Sequence, residues 1–109
     1  MVTNPLNFAI GAPSAQADGV TAVEIHVGTT AGGPYTAHTY PLTAAEVSAG
    51  LAAGGNFSGT LVSVGEALGP GTYFGVSVVK NATGVSGNSP EASFQVQAAP
   101  SPPVSFTVA

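Results

Sequence analysis

Charge is scarce in this chain. Of its 109 residues one is lysine or arginine and five are aspartate or glutamate, so charged residues make up 6%, against roughly 25% in an ordinary soluble domain. A single cation cannot neutralise a phosphate backbone, which argues against nucleic acid as a partner. The same poverty argues against a basic patch for an anionic membrane surface. Cysteine is absent. Disulfides, zinc–thiolate centres and thiol nucleophiles go with it. No stretch approaches the ~20 apolar residues of a membrane-spanning helix. The opening Met1-Val2-Thr3-Asn4-Pro5 has neither a basic region nor an apolar run of signal-peptide length. That predicts synthesis in the cytoplasm, unless the chain is cut from a longer secreted protein. On that footing the sequons Asn56-Phe57-Ser58 and Asn81-Ala82-Thr83 read as chance matches.

What the chain has is glycine (15), proline (9) and a 44% hydrophobic share. It is too apolar for a disordered tail, and its turn-forming load suits short strands. The expectation is one all-β domain. Surface scaling gives roughly 5,400 Å² folded against about 15,000 Å² unfolded for this mass, a workable but marginal burial. With so few charges, exposed sheet edges are poorly protected against pairing with other chains. Such a chain is either prone to aggregate or meant to sit inside an assembly.

Strand signals recur at short spacing. Leu6, Phe8 and Ile10 alternate with Asn7 and Ala9 before Gly11-Ala12-Pro13. Val23, Ile25 and Val27 alternate with Glu24 and His26, and Thr29 to Pro34 reads as a turn. Tyr35 to Tyr40 can return as a hairpin partner, closed by Pro41. Phe57, Leu61, Val62 and Val64 suggest a further strand, loosened by Gly59. After the turn Leu68 to Thr72, Phe74, Val76 and Val78 alternate with Gly75 and Ser77, and Phe94 and Val96 close the body. One segment differs: Thr43-Ala44-Ala45-Glu46 fits a capping box, with Gly54-Gly55 as a stop, so a short helix is expected near residues 43–53. Residues 1–98 form the expected body. Residues 99–109 form a stiff Pro-rich connector and a strand-like arm in which Val104, Phe106 and Val108 alternate with Ser105 and Thr107.

Three segments, in order, resemble bacterial and phage fibronectin type III domains, an immunoglobulin-like β-sandwich of about seven strands. Gly19 to Thr36 resembles the central hairpin. Leu68 to Val78 resembles the turn and sixth strand. Asn81 to Phe94 resembles the last hairpin, with Gly84, Ser86, Ser89 and Pro90 in the usual places. The likeness covers roughly residues 5–97. It places the family's corner tyrosine at Phe74, which has no hydroxyl, with Tyr73 one residue away and facing the other side. The family's tryptophan is missing, and Phe8 is expected in its space. Leu6–Ile10 falls where the second strand belongs, so the first strand is expected to be missing, while the tail resembles a linker plus the first strand of a following repeat. Either the chain is a piece of a tandem array, or its last strand fills the vacant edge, in its own body or a neighbour's.

The functional expectation is a non-enzymatic structural protein. The resemblance suggests an accessory protein of bacteriophage particles, capsid decoration before a tail or neck component, with its partners being other virion proteins or copies of itself. The arm residues Val104, Phe106 and Val108 are expected to pair beside Leu6, Phe8 and Ile10. The alternative is an accessory domain of a secreted enzyme or adhesin, a spacer or carbohydrate-binding module. Catalysis has little to draw on: His26 and His38 are the only imidazole bases, the carboxylates are scattered, and the glycines follow no phosphate-loop pattern. No cofactor is expected. A metal held by His26, His38 and Glu24 on the central hairpin, and a sugar-stacking strip of Tyr35, Tyr40 and Tyr73, are weaker candidates beside the plain alternatives of solvated histidines and ordinary sheet residues. Lys80 reads as a solubilising strand end.

Overall fold

Alternation and turn chemistry give six strands and two helices among the described residues, which in this computed structural model are 6–97 and 101–108. In chain order they are β1 (Asn7–Gly11), β2 (Ala22–Gly28), β3 (His38–Pro41), α1 (Ala44–Ala52), β4 (Asn56–Thr60), α2 (Val62–Leu68), β5 (Gly71–Lys80) and β6 (Ala92–Val96). The strands form two antiparallel sheets, one of order β1-β4 and one of order β3-β2-β5-β6. The fold is thus predominantly β, as its composition suggests. No helix is long and apolar enough to cross a membrane.

Helix α1 is written in its ends. The Thr43 hydroxyl accepts from the Glu46 amide (3.1 Å) and Glu46 Oε1 accepts from the Thr43 amide (2.9 Å), a complete capping box. At the other end Gly55 N–H donates to Gly50 O and Gly54 N–H to Leu51 O, with both glycines at positive φ. That pair of hydrogen bonds is the Schellman stop. Helix α2 was not expected. Val62 and Val64 favour a strand by propensity, but Leu61 and Val64 are buried and Leu68 is half-buried. Their spacing of three and four residues is helical, so packing overrides propensity and β4 ends at Thr60.

The faces of β5 also differ from the expected ones. Val23, Ile25 and Val27 of β2 point into the core and pair with Val79, Ser77 and Gly75. Cross-strand partners share a face. Tyr73, Gly75, Ser77 and Val79 therefore line the inner face of β5. Phe74, Val76 and Val78 lie on the opposite face with Glu24 and His26, and Val76 and Val78 are buried there. The one-residue shift moves the corner as well. Tyr73, not Phe74, closes it: its hydroxyl donates to Leu68 O and Gly69 O, both at 2.9 Å, and its ring packs on Phe94 at 5.9 Å between centroids. Tyr73→Phe is expected to cost about 1–3 kcal/mol, measured by urea unfolding. Adding Phe74→Tyr should restore nothing, because that hydroxyl lies on the opposite face.

Beyond β6's pairing, side chains continue the ladder. Ser89 Oγ accepts from Ser77 N–H (2.8 Å) and Ser86 Oγ from Val79 N–H (3.0 Å), while the two serine amides donate to Ser77 O and Val79 O. The hydroxyls satisfy β5 amides that a neighbouring strand would otherwise take.

The core joins both sheets and α1 around Phe57, Val23, Val27 and Val64, all essentially inaccessible. Phe57 holds the central place. Phe8, expected to fill the missing tryptophan's space, is half-buried and packs edge-on against Tyr40 at 6.2 Å. Residues 101–108 contribute nothing to this core and form no strand, since an isolated strand has no ladder to bond with. The radius of gyration is 17.0 Å, whereas a compact chain of this length has about 13 Å. The longest extent is 66 Å.

Candidate functional site

Two features meet on one flank of the molecule, an open sheet edge and a hollow beneath it, and a third, the exposed arm, stands apart from them.

The edge belongs to β1. Leu61 N–H donates to Leu6 O and Ala12 N–H to Gly55 O, and Phe8 and Ile10 oppose Gly59 and Phe57. Backbone groups alternate in direction along a strand. Leu6, Phe8, Ile10 and Ala12 therefore bond toward β4, and the N–H and C=O groups of Asn7, Ala9 and Gly11 point the other way. Among the described residues no strand covers that side.

The hollow, about 270 Å³, lies between β1 and the inner face of β5 and β6. Leu6, Phe8 and Ile10 form one wall and Phe94 part of the other, over a floor that includes Gly75 and Ser77. Its cause is the facing of β5, set by its register with β2. The two central inward positions of β5 carry a hydrogen and a hydroxymethyl, while Val76 and Val78 point to the opposite face. Phe8 and Ile10 are left half-buried. No lining residue is charged. The volume falls just under the ~300–1,000 Å³ of small-ligand pockets, a size better matched to side chains.

The arm supplies the third feature. Val104 is fully exposed, and Phe106 and Val108 are 88% and 83% exposed. The total surface of 6474 Å² exceeds the roughly 5,400 Å² of a compact chain of this mass. The two halves of the expected interface are thus both present but are not brought together within the chain: Leu6, Phe8 and Ile10 line the groove, while Val104, Phe106 and Val108 stand clear of it.

The other candidates disperse. His26 pairs with Thr39, and His38 pairs with Val27. Val27 is a core residue, so the two imidazoles project from opposite faces of the sheet and share no metal. Among the described residues no group of three or more His, Asp and Glu side chains has metal-binding proximity. Glu24 instead lies 3.0 Å from His26 Nε2 and accepts from Lys80 Nζ at 2.8 Å. Lys80, read as merely solubilising, thus ties β5 to β2. The Lys80 hydrogen bond first, then that of His26, holds the Glu24 carboxyl below its usual range. The tyrosines form no strip. Tyr73 is buried at the corner, Tyr40 donates to Glu46 Oε1 (3.0 Å), and Tyr35 donates to Glu91 Oε1 (2.6 Å).

Glu91 was not singled out from the sequence, because its partners lie more than fifty residues away. It also accepts from Gly32 N–H at 2.7 Å, and so pins the β2–β3 turn to the segment before β6. The Tyr35 hydroxyl first, then the Gly32 amide, lowers the Glu91 pKa, and Glu91 raises that of Tyr35. A carboxylate whose folded pKa is depressed stabilises the fold above its unfolded value and loses that contribution as pH falls through the folded one. The melting temperature is therefore expected to fall on acidification below about pH 4. Glu91→Gln should flatten that slope while keeping both hydrogen bonds. An unchanged acid limb would show that Glu91 does not couple to folding.

Compared with known proteins, the chain matches no family model, no curated protein and no solved structure.

Proposed function

We propose that this chain is a non-enzymatic structural protein that joins an assembly by strand addition. The observation that carries this reading is the open β1 edge above an apolar groove, in a molecule whose own apolar arm is exposed. In strand addition the backbone supplies affinity, and alternate side chains fill pockets. The strand order supports a fibronectin type III-like sandwich. β1 and β4 would take the second and fifth places, β2, β3, β5 and β6 the third, fourth, sixth and seventh, and the first place would be the vacant one. The Tyr73 corner supports the same assignment. The setting that suits a passive, nearly uncharged body is a bacteriophage particle, as capsid decoration first and as a tail or neck component second.

The arm's exposure away from the body favours a second reading, an accessory repeat of a secreted enzyme or adhesin in which the arm runs on into the next unit. The reading frame beyond Ala109 separates the two.

Removing residues 99–109 is the test. Because residues 101–108 add nothing to the core, the shortened chain should keep its circular dichroism and melt within about 2 °C of the parent, yet lose its place in the particle or oligomer. Undiminished incorporation would sink the proposal.

A further inference from the structure

Resting on the strand-addition reading, we propose that the occupant of the β1 edge is the arm of a second copy of this chain, seated antiparallel. An antiparallel addition continues the antiparallel β1–β4 sheet, parallel pairing being slightly less stable per residue, and with that direction the geometry favours a second copy. β1 starts opposite Thr60 and β6 ends opposite Gly71. Between those positions lies α2, seven residues or about 10 Å of helix. The chain therefore leaves its body near the start of β1, while a strand antiparallel to β1 must enter from the Gly11 end. Its own arm would have to climb the strand's length, about 17 Å, and then reverse within a stretch containing Pro100, Pro102 and Pro103. Another copy's arm enters without that reversal.

Register follows from the faces. Inward residues must oppose inward residues. Matching both apolar triplets in full sets Val104 against Ile10, Phe106 against Phe8 and Val108 against Leu6. Phe106 then lies over Gly75 and Ser77, where the groove has room for a ring. Ser105 falls opposite Ala9 and Thr107 opposite Asn7, where the outward N–H and C=O groups of β1 can be bonded in both directions. Pro103, which has no N–H, falls opposite Gly11, the last residue of β1, and the ladder ends there. Neither arm nor groove carries a charged side chain, so no side-chain ion must be desolvated.

The test pairs two full-length variants with complementary defects. Phe106→Asp puts a charge on the arm and keeps the edge. Ala9→Pro keeps the arm and removes an outward N–H that the β1–β4 ladder does not use, a substitution an edge strand tolerates. The parent should associate with rising concentration. Each variant alone should sediment as a single 10.5 kDa chain, and their mixture should give a species of twice that mass. Hydrogen exchange gives a second reading that does not depend on the proline variant folding. In the associated parent the Asn7 and Ala9 amides should slow by roughly tenfold or more, and in Phe106→Asp they should not. A parent that stays single, a mixture that stays apart, or unprotected amides overturn the proposal. If the mixture stays apart while Phe106→Asp is still expelled from its particle, the copy-to-copy assignment fails and strand addition to another protein survives. If Phe106→Asp keeps its place in the particle, both fail.

Discussion

Phe57→Ala should cost about 3–5 kcal/mol, the range for emptying a buried aromatic site. The ring is 1% exposed, opposes Ile10 across the β1–β4 pair, and lies so close over Gly50 of α1 that a β-carbon there would overlap it. One side chain therefore fixes the helix to the smaller sheet. The site cannot collapse cheaply, because helix backbone is on one side and strand on the other. A domain of this size has about 5–15 kcal/mol in total, so the variant keeps only a fraction and should melt some 15–30 °C lower. Phe74→Ala on the opposite face of β5 serves as the comparison and should cost much less. Equal losses would show that Phe57 is not the keystone of the core.

Gly55→Ala should be clearly more damaging than Gly54→Ala, its neighbour in the same helix stop. Both residues have positive φ, 75° and 91°, so both substitutions incur the conformational cost, of order 1–2 kcal/mol for an L-residue. They differ in surroundings. A β-carbon on Gly54 meets nothing, whereas one on Gly55 runs into the Ala12 carbonyl. That carbonyl is backbone and cannot rotate away. Gly55 O also accepts from Ala12 N–H at the end of the β1–β4 ladder, so any shift to relieve the clash loosens the open-edged sheet itself. The expected loss at Gly55 is about 3 kcal/mol or more, and it should appear as faster amide exchange along β1 before global unfolding. A Gly55→Ala variant as stable as Gly54→Ala would sink this account of the helix stop.

What could be read from the sequence was local. Leu6–Ile10 and Val23–Val27 announce strands by alternation, and Thr43 with Glu46 and Gly54-Gly55 announces both ends of α1, because caps are decided within a few residues. What could not be read depends on which face the rest of the molecule covers. Phe74, Val76 and Val78 alternate as well as Tyr73, Gly75, Ser77 and Val79 do, and the bulkier set suggested the core. Pairing with β2 turns the other set toward Phe57 and the smaller sheet, while Val76 and Val78 are buried on the opposite face, and with that choice went the corner tyrosine and the origin of the groove. Val64 has strand propensity, but Leu61 and Leu68 join it in the core at helical spacing. His26 and His38 needed the β2–β3 register, which places them on opposite faces. The docking residues were legible as apolar alternation, but the hollow that gives them a destination was not.

The three phenols give the molecule built-in reporters. With no tryptophan in the chain, its ultraviolet emission is tyrosine emission, undimmed by energy transfer to an indole. Each hydroxyl is bonded at a different joint: Tyr35 at the hairpin tip, Tyr40 at the foot of α1, and Tyr73 at the turn into β5. Replacing any two with phenylalanine leaves a single unlabelled lamp on the remaining joint, so the order in which the three let go can be followed by fluorescence.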